Sequence, residues 1–289
     1  SFCGVVGLKP TFGSVSRSGL IAMASSFDQI GPITKTVEDT EIVFNVIKGK
    51  DKFDSTSVNG HSVSNSGETP SVLKIGILKY DKNGVDKDID KIVDDTAKIL
   101  LRLGHDIKET ELPHIEYSLS CYYIIQPAEV SANLARFDGV KYGLFKKGEN
   151  LLDDYMETRA QGFGKETRRR IMLGTFVLSS GYYDAYYGKA QKVRALIRND
   201  FKKAFEKFDA IISPVAPTPA FKIGEKTNDP LQMYLSDIFT VSANIAGIPA
   251  ISVPAGFVER ENKKLPVGVQ FMAPWFKEKI LFYLGKQIE

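Results

Sequence analysis

The residues of this sequence that could hold a charged ligand are three consecutive arginines, Arg168 to Arg170, and the isolated carboxylate of Asp237. A guanidinium can hold a carboxylate through two parallel hydrogen bonds, and an aspartate can hold an ammonium group. An arginine run at the start of a helix is ordinarily a solvated face, however, and an aspartate beside an apolar run is ordinarily a helix cap. Taken alone, these residues favour surface roles.

Aromatic residues offer a second kind of candidate. Tyr122 and Tyr123 are typical of core aromatics whose hydroxyls are hydrogen-bonded. A denser group, interleaved with basic residues that could accompany stacked nucleotides, comprises Tyr182, Tyr183, Tyr186 and Tyr187. Its helical spacing favours a packed core-and-rim face instead. A basic run on the next helix, Arg194, Arg198, Lys202, Lys203 and Lys207, is predicted to be that helix's exposed side.

Metal and redox chemistry have little support in the sequence. Cys3 and Cys121 lack CxxC spacing, and the three histidines are scattered among polar turn residues. We therefore predict two reduced thiols and no metal site. Ser1 could combine a hydroxyl with an α-amine, as in an N-terminal-nucleophile hydrolase, and this remains a minor alternative.

Composition places the chain among globular proteins. It has 289 residues, of which 43% are hydrophobic and 25% charged, and its net charge is +3 from 38 Lys plus Arg and 35 Asp plus Glu. So small a charge gives no general attraction for nucleic acid, and any nucleic-acid contact would be local or made by a partner. No run approaches the roughly 20 apolar residues of a membrane helix, and the first residues have neither the basic region nor the apolar segment expected of a signal peptide.

The elements that would position these residues alternate between strands and helices. Residues 1–34 have the glycines and prolines of loops joining short strands, and Thr36 with Asp39 starts a helix whose apolar stripe is Ile42, Val43, Val46 and Ile47. Strands are predicted at 73–78, 106–112, 210–215, 250–253 and 267–272, and helices at 89–103, near 234–246 and over most of 115–208, with a glycine-rich break at 139–148. This alternation predicts an α/β fold with strands from both ends of the chain.

Long blocks of the sequence resemble the amidase-signature family. The block GVVGLKPTFGSVSRSGLIAMASSFDQIGPITKTVED, at 4–39, resembles the latter part of the signature region. Blocks at 122–143, 162–194 and 229–257 resemble the A subunits of glutamyl-tRNA(Gln) amidotransferases in particular. The resemblance implies the amidase-signature fold, a central mixed β-sheet flanked by helices, of which this chain would be the later, carboxy-terminal portion.

The resemblance also implies which part of the family's catalytic machinery these residues would contain. Amidase-signature enzymes use a lysine, a bridging serine and a nucleophilic serine in a GGSIRxPA-like segment, and no segment of the 289 residues matches it. We therefore expect no catalytic residue here, and the isolated chain to be inactive. SFCGVVGLKP is expected to lie inside a domain, with 1–58 the end of the signature core, 59–71 a linker and 72–289 the rest of the same domain, mostly helical at about 115–208.

For glutamine recognition, the resemblance assigns Arg170 to the ligand carboxylate, Asp237 to its α-ammonium and Tyr122 to the pocket wall. It implies partner B and C subunits, with ATP and Mg²⁺ held in a partner and tRNA bound mainly there. It further implies a cytoplasmic location, or an organellar matrix in a eukaryote. A general small-amide amidase and a truncated binding module without chemistry remain alternatives.

Overall fold

A computed structural model describes residues 1–58, 70–227 and 229–289. These residues form two compact units. The first unit comprises Ser1–Ser18, Gln29–Leu119 and Arg194–Glu289, and the second comprises Gly19–Asp28 and Ser120–Val193. In sequence, therefore, the second unit is assembled from two segments that interrupt the first. Most of the predicted linker, 59–71, lies outside the described residues.

The first unit is built on a β-sheet to which the described residues contribute seven strands. They are β1 (Val6–Lys9), β2 (Ile33–Thr34), β3 (Lys74–Leu78), β4 (Asp106–Thr110), β5 (Ala210–Pro214), β6 (Ala250–Arg260) and β7 (Lys263–Met272). Their order is β2-β1-β6-β7-β5-β3-β4. Strand β3 runs parallel to β4 and β5, and the other neighbours are antiparallel. The predicted mixed sheet with strands from both ends of the chain is confirmed.

The α-helices of the described residues follow the predicted alternation. They are α1 (Val37–Ile47), α2 (Lys87–Arg102), α3 (Ser118–Leu134), α4 (Leu151–Gly162), α5 (Lys165–Leu178), α6 (Lys189–Ala204), α7 (Pro230–Leu235), α8 (Val241–Ala246) and α9 (Glu278–Ile288). A 3₁₀ turn at Ile115–Tyr117 precedes α3, and a π-helical turn at Asp184–Gly188 precedes α6. None of the described helices has both the length and the apolar character needed to span a bilayer.

The core of the first unit lies between the sheet and the helices α1, α2 and α9. Side chains from these helices, including Phe44, Leu100 and Leu281, are buried in one cluster with strand residues such as Ile212 and Phe271. Burying a large apolar side chain contributes about 1.5–3 kcal/mol, so this cluster holds the sheet in place for the loops at its edges.

Helix α1 begins as predicted but buries a different face. The Thr36 side chain accepts a hydrogen bond from the Asp39 backbone, which is the expected cap. The buried residues are Val37, Thr40 and Phe44, whereas three members of the predicted apolar stripe, Ile42, Val43 and Val46, are exposed. The apolar residues of α1 extend around more of the helix than the sheet can cover.

Strands β6 and β7 form a longer hairpin than their apolar runs predict. Glu261 and Asn262 form the two-residue turn, with φ angles of 49° and 60°. Such a pair of positive angles matches the twist of the flanking strands. The predicted helix near 234–246 is two short helices, α7 and α8, because turn residues separate Leu235 from Val241.

The second unit is helical, as predicted for most of 115–208. It contains α4, α5 and most of α3, and residues 139–148 form no helix. Pro127 lies inside α3 and cannot donate the helical hydrogen bond to the carbonyl of Tyr123. Helix α5 comes very close to α3 at this point. A Cβ atom added to Gly174 would lie only 1.9 Å from the Pro127 carbonyl oxygen.

Candidate functional site

Arg170 lies on α5, one turn before the glycine that packs against α3. Its Nε donates a hydrogen bond of 2.9 Å to the Glu166 Oε1, and its side chain is only 18% exposed. Residues four apart on a helix are neighbours, so the Glu166–Arg170 pair follows from the helical spacing. Of the three arginines, Arg170 is therefore the one turned into the unit, and the solvated-face interpretation is wrong for it.

Two tyrosines of α3 lie next to Arg170. The guanidinium carbon of Arg170 lies 5.7 Å from the centre of the Tyr123 ring, a cation–π distance. The Tyr123 ring meets that of Tyr122 edge to face at 5.0 Å, and Tyr122 also contacts Phe27 at 5.6 Å. The structure thus brings Tyr122 and Arg170 into one cluster, which we call the Arg170 cluster, with Tyr123 between them.

The environment of Arg170 keeps it charged. Burial acts to lower the pKa of the guanidinium, but the hydrogen bond to Glu166 and the nearby Tyr122 hydroxyl outweigh it, and the pKa is raised overall. A partly buried guanidinium is a more effective anion ligand than an exposed one, because less solvent screens it. Chemically, the Arg170 cluster can hold a carboxylate beside an aromatic wall.

Asp237 lies in the first unit, between α7 and α8. Its carbonyl accepts hydrogen bonds from the backbone of Thr240 and Val241, so the residue initiates the turn into α8. It lines a cavity of about 320 Å³ together with Ser1, Cys3, Thr240 and Ser252. We call this the Asp237 cavity. It offers one carboxylate among hydroxyls and a thiol, a setting suited to an ammonium group.

Ser1 and Cys3 contribute to the wall of the Asp237 cavity in different ways. The Ser1 hydroxyl accepts a hydrogen bond of 3.0 Å from the Gly268 backbone, and Cys3 is an exposed free thiol. Cys121 is a buried thiol in the second unit, where its Sγ donates a hydrogen bond to the Ala190 carbonyl.

The remaining aromatic and basic groups differ from prediction in part. Tyr182, Tyr183 and Tyr186 are 41–47% exposed, and the Tyr182 ring packs at a tilt against Phe176 with centroids 4.4 Å apart. These tyrosines therefore form an exposed rim more than a core. On α6, Arg194 is not on a solvent face. Its Nε donates to the Ile245 carbonyl at 3.0 Å, because the end of α8 leaves a carbonyl that a side chain can satisfy.

The sequence reasoning missed Tyr123 and Glu166. Glu166 was detectable, since it lies four residues before Arg170. The choice of Tyr123 over Tyr122 as the ring next to the guanidinium depends on the rotation of α3 about its axis. That rotation is set by the Gly174 contact and has no signal in local sequence.

Comparison with known proteins gives a consistent assignment. A family model described as Amidase matches residues 1–282. The A subunit of a glutamyl-tRNA(Gln) amidotransferase from Thermodesulfovibrio yellowstonii is 57% identical over 293 residues, covering all of this chain and 60% of the relative. Its counterpart from Geobacillus sp. (strain WCH70) is 53% identical over 295 residues, with the same coverage. The chain thus spans about three fifths of the length of these relatives.

A solved structure agrees with the fold. The crystal structure of the A subunit of glutamyl-tRNA(Gln) amidotransferase from Thermotoga maritima is 41% identical and has a TM-score of 0.76, covering all of this chain and 58% of that one. Sequence and fold therefore match the same family over the same residues. On these grounds, the chain belongs to the amidase family.

Proposed function

We propose that this chain is part of the glutamine-hydrolysing component of a tRNA-dependent amidotransferase, which supplies ammonia for converting glutamyl-tRNA(Gln) to glutaminyl-tRNA(Gln). The curated relatives that support this are the A subunits of such enzymes. Within the chain, the observation that carries the proposal is the partly buried Arg170, held beside Tyr122 and Tyr123. An amidase acting on uncharged amides has no need of a desolvated guanidinium, which costs free energy to bury.

In this proposal, Arg170 holds the carboxylate of free glutamine and Tyr122 forms part of the pocket wall. The Glu166–Arg170 pair supports the role, because the guanidinium already binds one carboxylate oxygen at 2.9 Å. Asp237 takes the α-ammonium in the cavity that it lines. A nucleophile from outside these 289 residues would attack the side-chain amide, so the isolated chain is expected not to hydrolyse glutamine.

The proposal also covers partners. Two further subunits, B and C, would assemble with this one, and ATP and Mg²⁺ would bind to a partner subunit together with most of the tRNA. We assign no residue of this chain to ATP, Mg²⁺ or any metal. A gel-filtration experiment with purified B and C subunits and a protein of the relatives' full length should give a single complex.

The test compares substitutions in a protein of the relatives' full length that carries these 289 residues. Arg170→Met should raise the KM for glutamine roughly 10- to 100-fold, since a hydrogen bond to a charged group contributes about 1.5–3 kcal/mol. Asp237→Asn should do the same, and Arg170→Lys should be intermediate, because one ammonium cannot replace a planar fork.

Arg169→Met is the matched control. Arg169 pairs with the same Glu166 at 2.7 Å, but its side chain is 53% exposed, so glutamine hydrolysis should be unchanged. If Arg170→Met and Asp237→Asn leave the KM for glutamine unchanged, or raise it no more than that for a simple amide, the protein is a general small-amide amidase instead.

A further inference from the structure

The second unit contains a groove whose lining residues differ from those assigned to glutamine. It has a volume of about 450 Å³ and is lined by residues of α3, α4 and α5 and of the segments that follow α3 and α4. The apolar residues that line it are Leu134, Ala135, Ala160, Phe163, Ile171 and Met172. We call it the Met172 groove. Most of its wall therefore offers apolar contact.

Large apolar side chains extend from the groove along the surface of α4. Met172 is 73% exposed although it lines the groove, and Leu152 and Met156 on α4 are 65% and 61% exposed. Leu152, Met156 and Ala160 are spaced four residues apart, so they form one stripe on α4 that ends at the groove. The stripe is about 12 Å long, at 1.5 Å per helical residue. Exposed apolar surface of this extent typically marks an interaction site.

The charged residues that line the groove are two arginines, Arg159 and Arg168. The Arg159 Nη2 donates a hydrogen bond of 3.0 Å to the carbonyl of Ala135, which itself lines the groove, so the position of this guanidinium is fixed. Arg168 is exposed, and its side chain makes no ion pair with the described residues. The groove thus joins an apolar wall to positive charge.

This combination distinguishes among the kinds of molecule that could cover the surface. A small anion would meet the arginines but leave the stripe on α4 exposed. A nucleic-acid backbone would place charged phosphates against methionine side chains, which cannot solvate them. An amphipathic helix presents apolar residues every three or four positions, and so matches a stripe of the same spacing. Methionine side chains are flexible and adapt to such a partner.

We propose that the Met172 groove and the Leu152–Met156 stripe bind an amphipathic helix of a partner protein, with aspartate or glutamate beside its apolar face to meet Arg159 and Arg168. The inference rests on the proposed function, because the partner is then one of the two further subunits of the complex. It adds where on this chain that subunit docks and the chemistry by which it is recognised. Methionine and arginine are both enriched in interfaces between proteins.

Photo-cross-linking identifies what covers the groove. The photo-reactive amino acid p-benzoylphenylalanine replaces either Met156 or Met172 in a protein of the relatives' full length, which is assembled with both partner subunits and irradiated. Both positions should cross-link to one segment of a single partner subunit. Mass spectrometry should show that this segment has an apolar stripe with Asp or Glu beside it. The same replacement of Val46, which is 79% exposed on α1 of the first unit, should not cross-link to that segment.

Charge reversal then tests the role of the arginines. Arg168→Glu should weaken association with the cross-linked subunit about tenfold or more, because it places a carboxylate opposite an acidic side chain. Lysine in place of that acidic residue of the subunit should restore binding. Lys165→Glu is the matched control, since Lys165 is an exposed cation of α5 that does not line the groove, and its affinity should be nearly unchanged.

A pair of substitutions at Met172 tests the apolar contact separately. Met172→Glu should weaken association about tenfold or more, whereas Met172→Leu keeps an apolar side chain of similar volume and should bind like the unsubstituted protein. The exposure of Met172 makes both changes compatible with the fold, and thermal unfolding of each variant checks this. Affinities are measured by titrating a fluorescently labelled partner subunit.

The results distinguish a failure of this inference from a failure of the proposed function. Assembly of the three subunits without a cross-link from either groove position would overturn the inference alone. So would cross-links only to tRNA, to a second copy of the chain or within the same polypeptide, or full affinity in both Arg168→Glu and Met172→Glu. If the unsubstituted subunits do not assemble, the proposed partners are wrong and the docking surface fails with them.

Discussion

At the residue scale, the ion pair between Arg17 and Asp54 ties two loops of the first unit together. The Asp54 carboxylate is 6% exposed and accepts hydrogen bonds from the Arg17 Nε at 3.1 Å, from the Arg17 backbone and from Thr56. The Arg17 guanidinium is the main reason that the pKa of this carboxyl lies far below its usual range. The stabilisation requires the ionised form.

This pair predicts a specific loss of stability in acid. A carboxyl whose pKa is lowered by folding stabilises the protein above its unfolded pKa of about 4 and loses that contribution as the pH falls. Asp54→Asn should therefore lower the free energy of unfolding by about 3 kcal/mol at pH 7. Urea unfolding should show the same difference from the unsubstituted chain at pH 7 and pH 5 and a smaller difference at pH 3.

Asp95→Asn serves as the comparison, because Asp95 pairs with Lys98 on the exposed face of α2. It should leave the free energy of unfolding nearly unchanged at each pH, because solvent screens an exposed pair. A constant difference for Asp54→Asn from pH 7 to pH 3 would show that packing, rather than ionisation, accounts for it.

Residue-scale prediction from sequence succeeds where spacing determines the contact. The pairing of Glu166 with Arg170 and the Thr36 cap both follow from helical geometry. The lining of the Asp237 cavity by Ser1, Cys3 and Ser252 does not, because Ser1 and Ser252 are 251 positions apart in the chain and meet only when the sheet is formed.

At the element scale, the approach of α5 to α3 determines where Arg170 lies. Gly174 allows the approach, since any side chain there would meet the Pro127 carbonyl. Gly174→Ala should force the helices apart and lower the free energy of unfolding by about 1–3 kcal/mol, as overpacking usually does. Thermal and urea unfolding measure this change. The KM for glutamine in the full-length protein should rise as well, because Arg170 moves with α5.

Gly162→Ala is the matched substitution in the neighbouring helix. The space around Gly162 accommodates a methyl group, with Leu144 at an ordinary 3.5 Å. Alanine favours helix more than glycine does, so this variant should be as stable as the unsubstituted chain or up to about 1 kcal/mol more stable. Equal stability of the Gly174→Ala variant would mean that the two helices separate at no cost.

Helices and strands could be predicted where apolar periodicity is strong. They could be predicted less well where strand pairing extends a strand beyond its apolar residues. The α/β alternation and most strand positions follow from pattern. The outer part of the β6–β7 hairpin does not, because Glu259, Arg260, Lys263 and Lys264 are hydrophilic and extend beyond the apolar runs. Arg260 donates hydrogen bonds to Asp86 and Asp88, which helps to hold this charged end in place.

At the scale of the whole molecule, the near-balance of charge bears on nucleic-acid binding. With a net charge of +3, the chain lacks the basic field that supplies most non-specific affinity for tRNA. We expect it to bind unacylated tRNA no more tightly than about 1 μM at physiological salt, as non-specific binders do. Filter binding at two salt concentrations tests this, and nanomolar binding that persists at high salt would contradict it.

The strand order of the first unit also has a consequence for how the chain acquires its structure during synthesis. Of the seven described strands, β6 and β7 are the last to be made, yet they occupy the third and fourth positions in the sheet. Until they emerge from the ribosome, β1 and β2 have no link through the sheet to β5, β3 and β4. Such non-local pairing slows folding and leaves strand edges open to other chains. The described sheet can therefore become continuous only after β6 and β7 have been made.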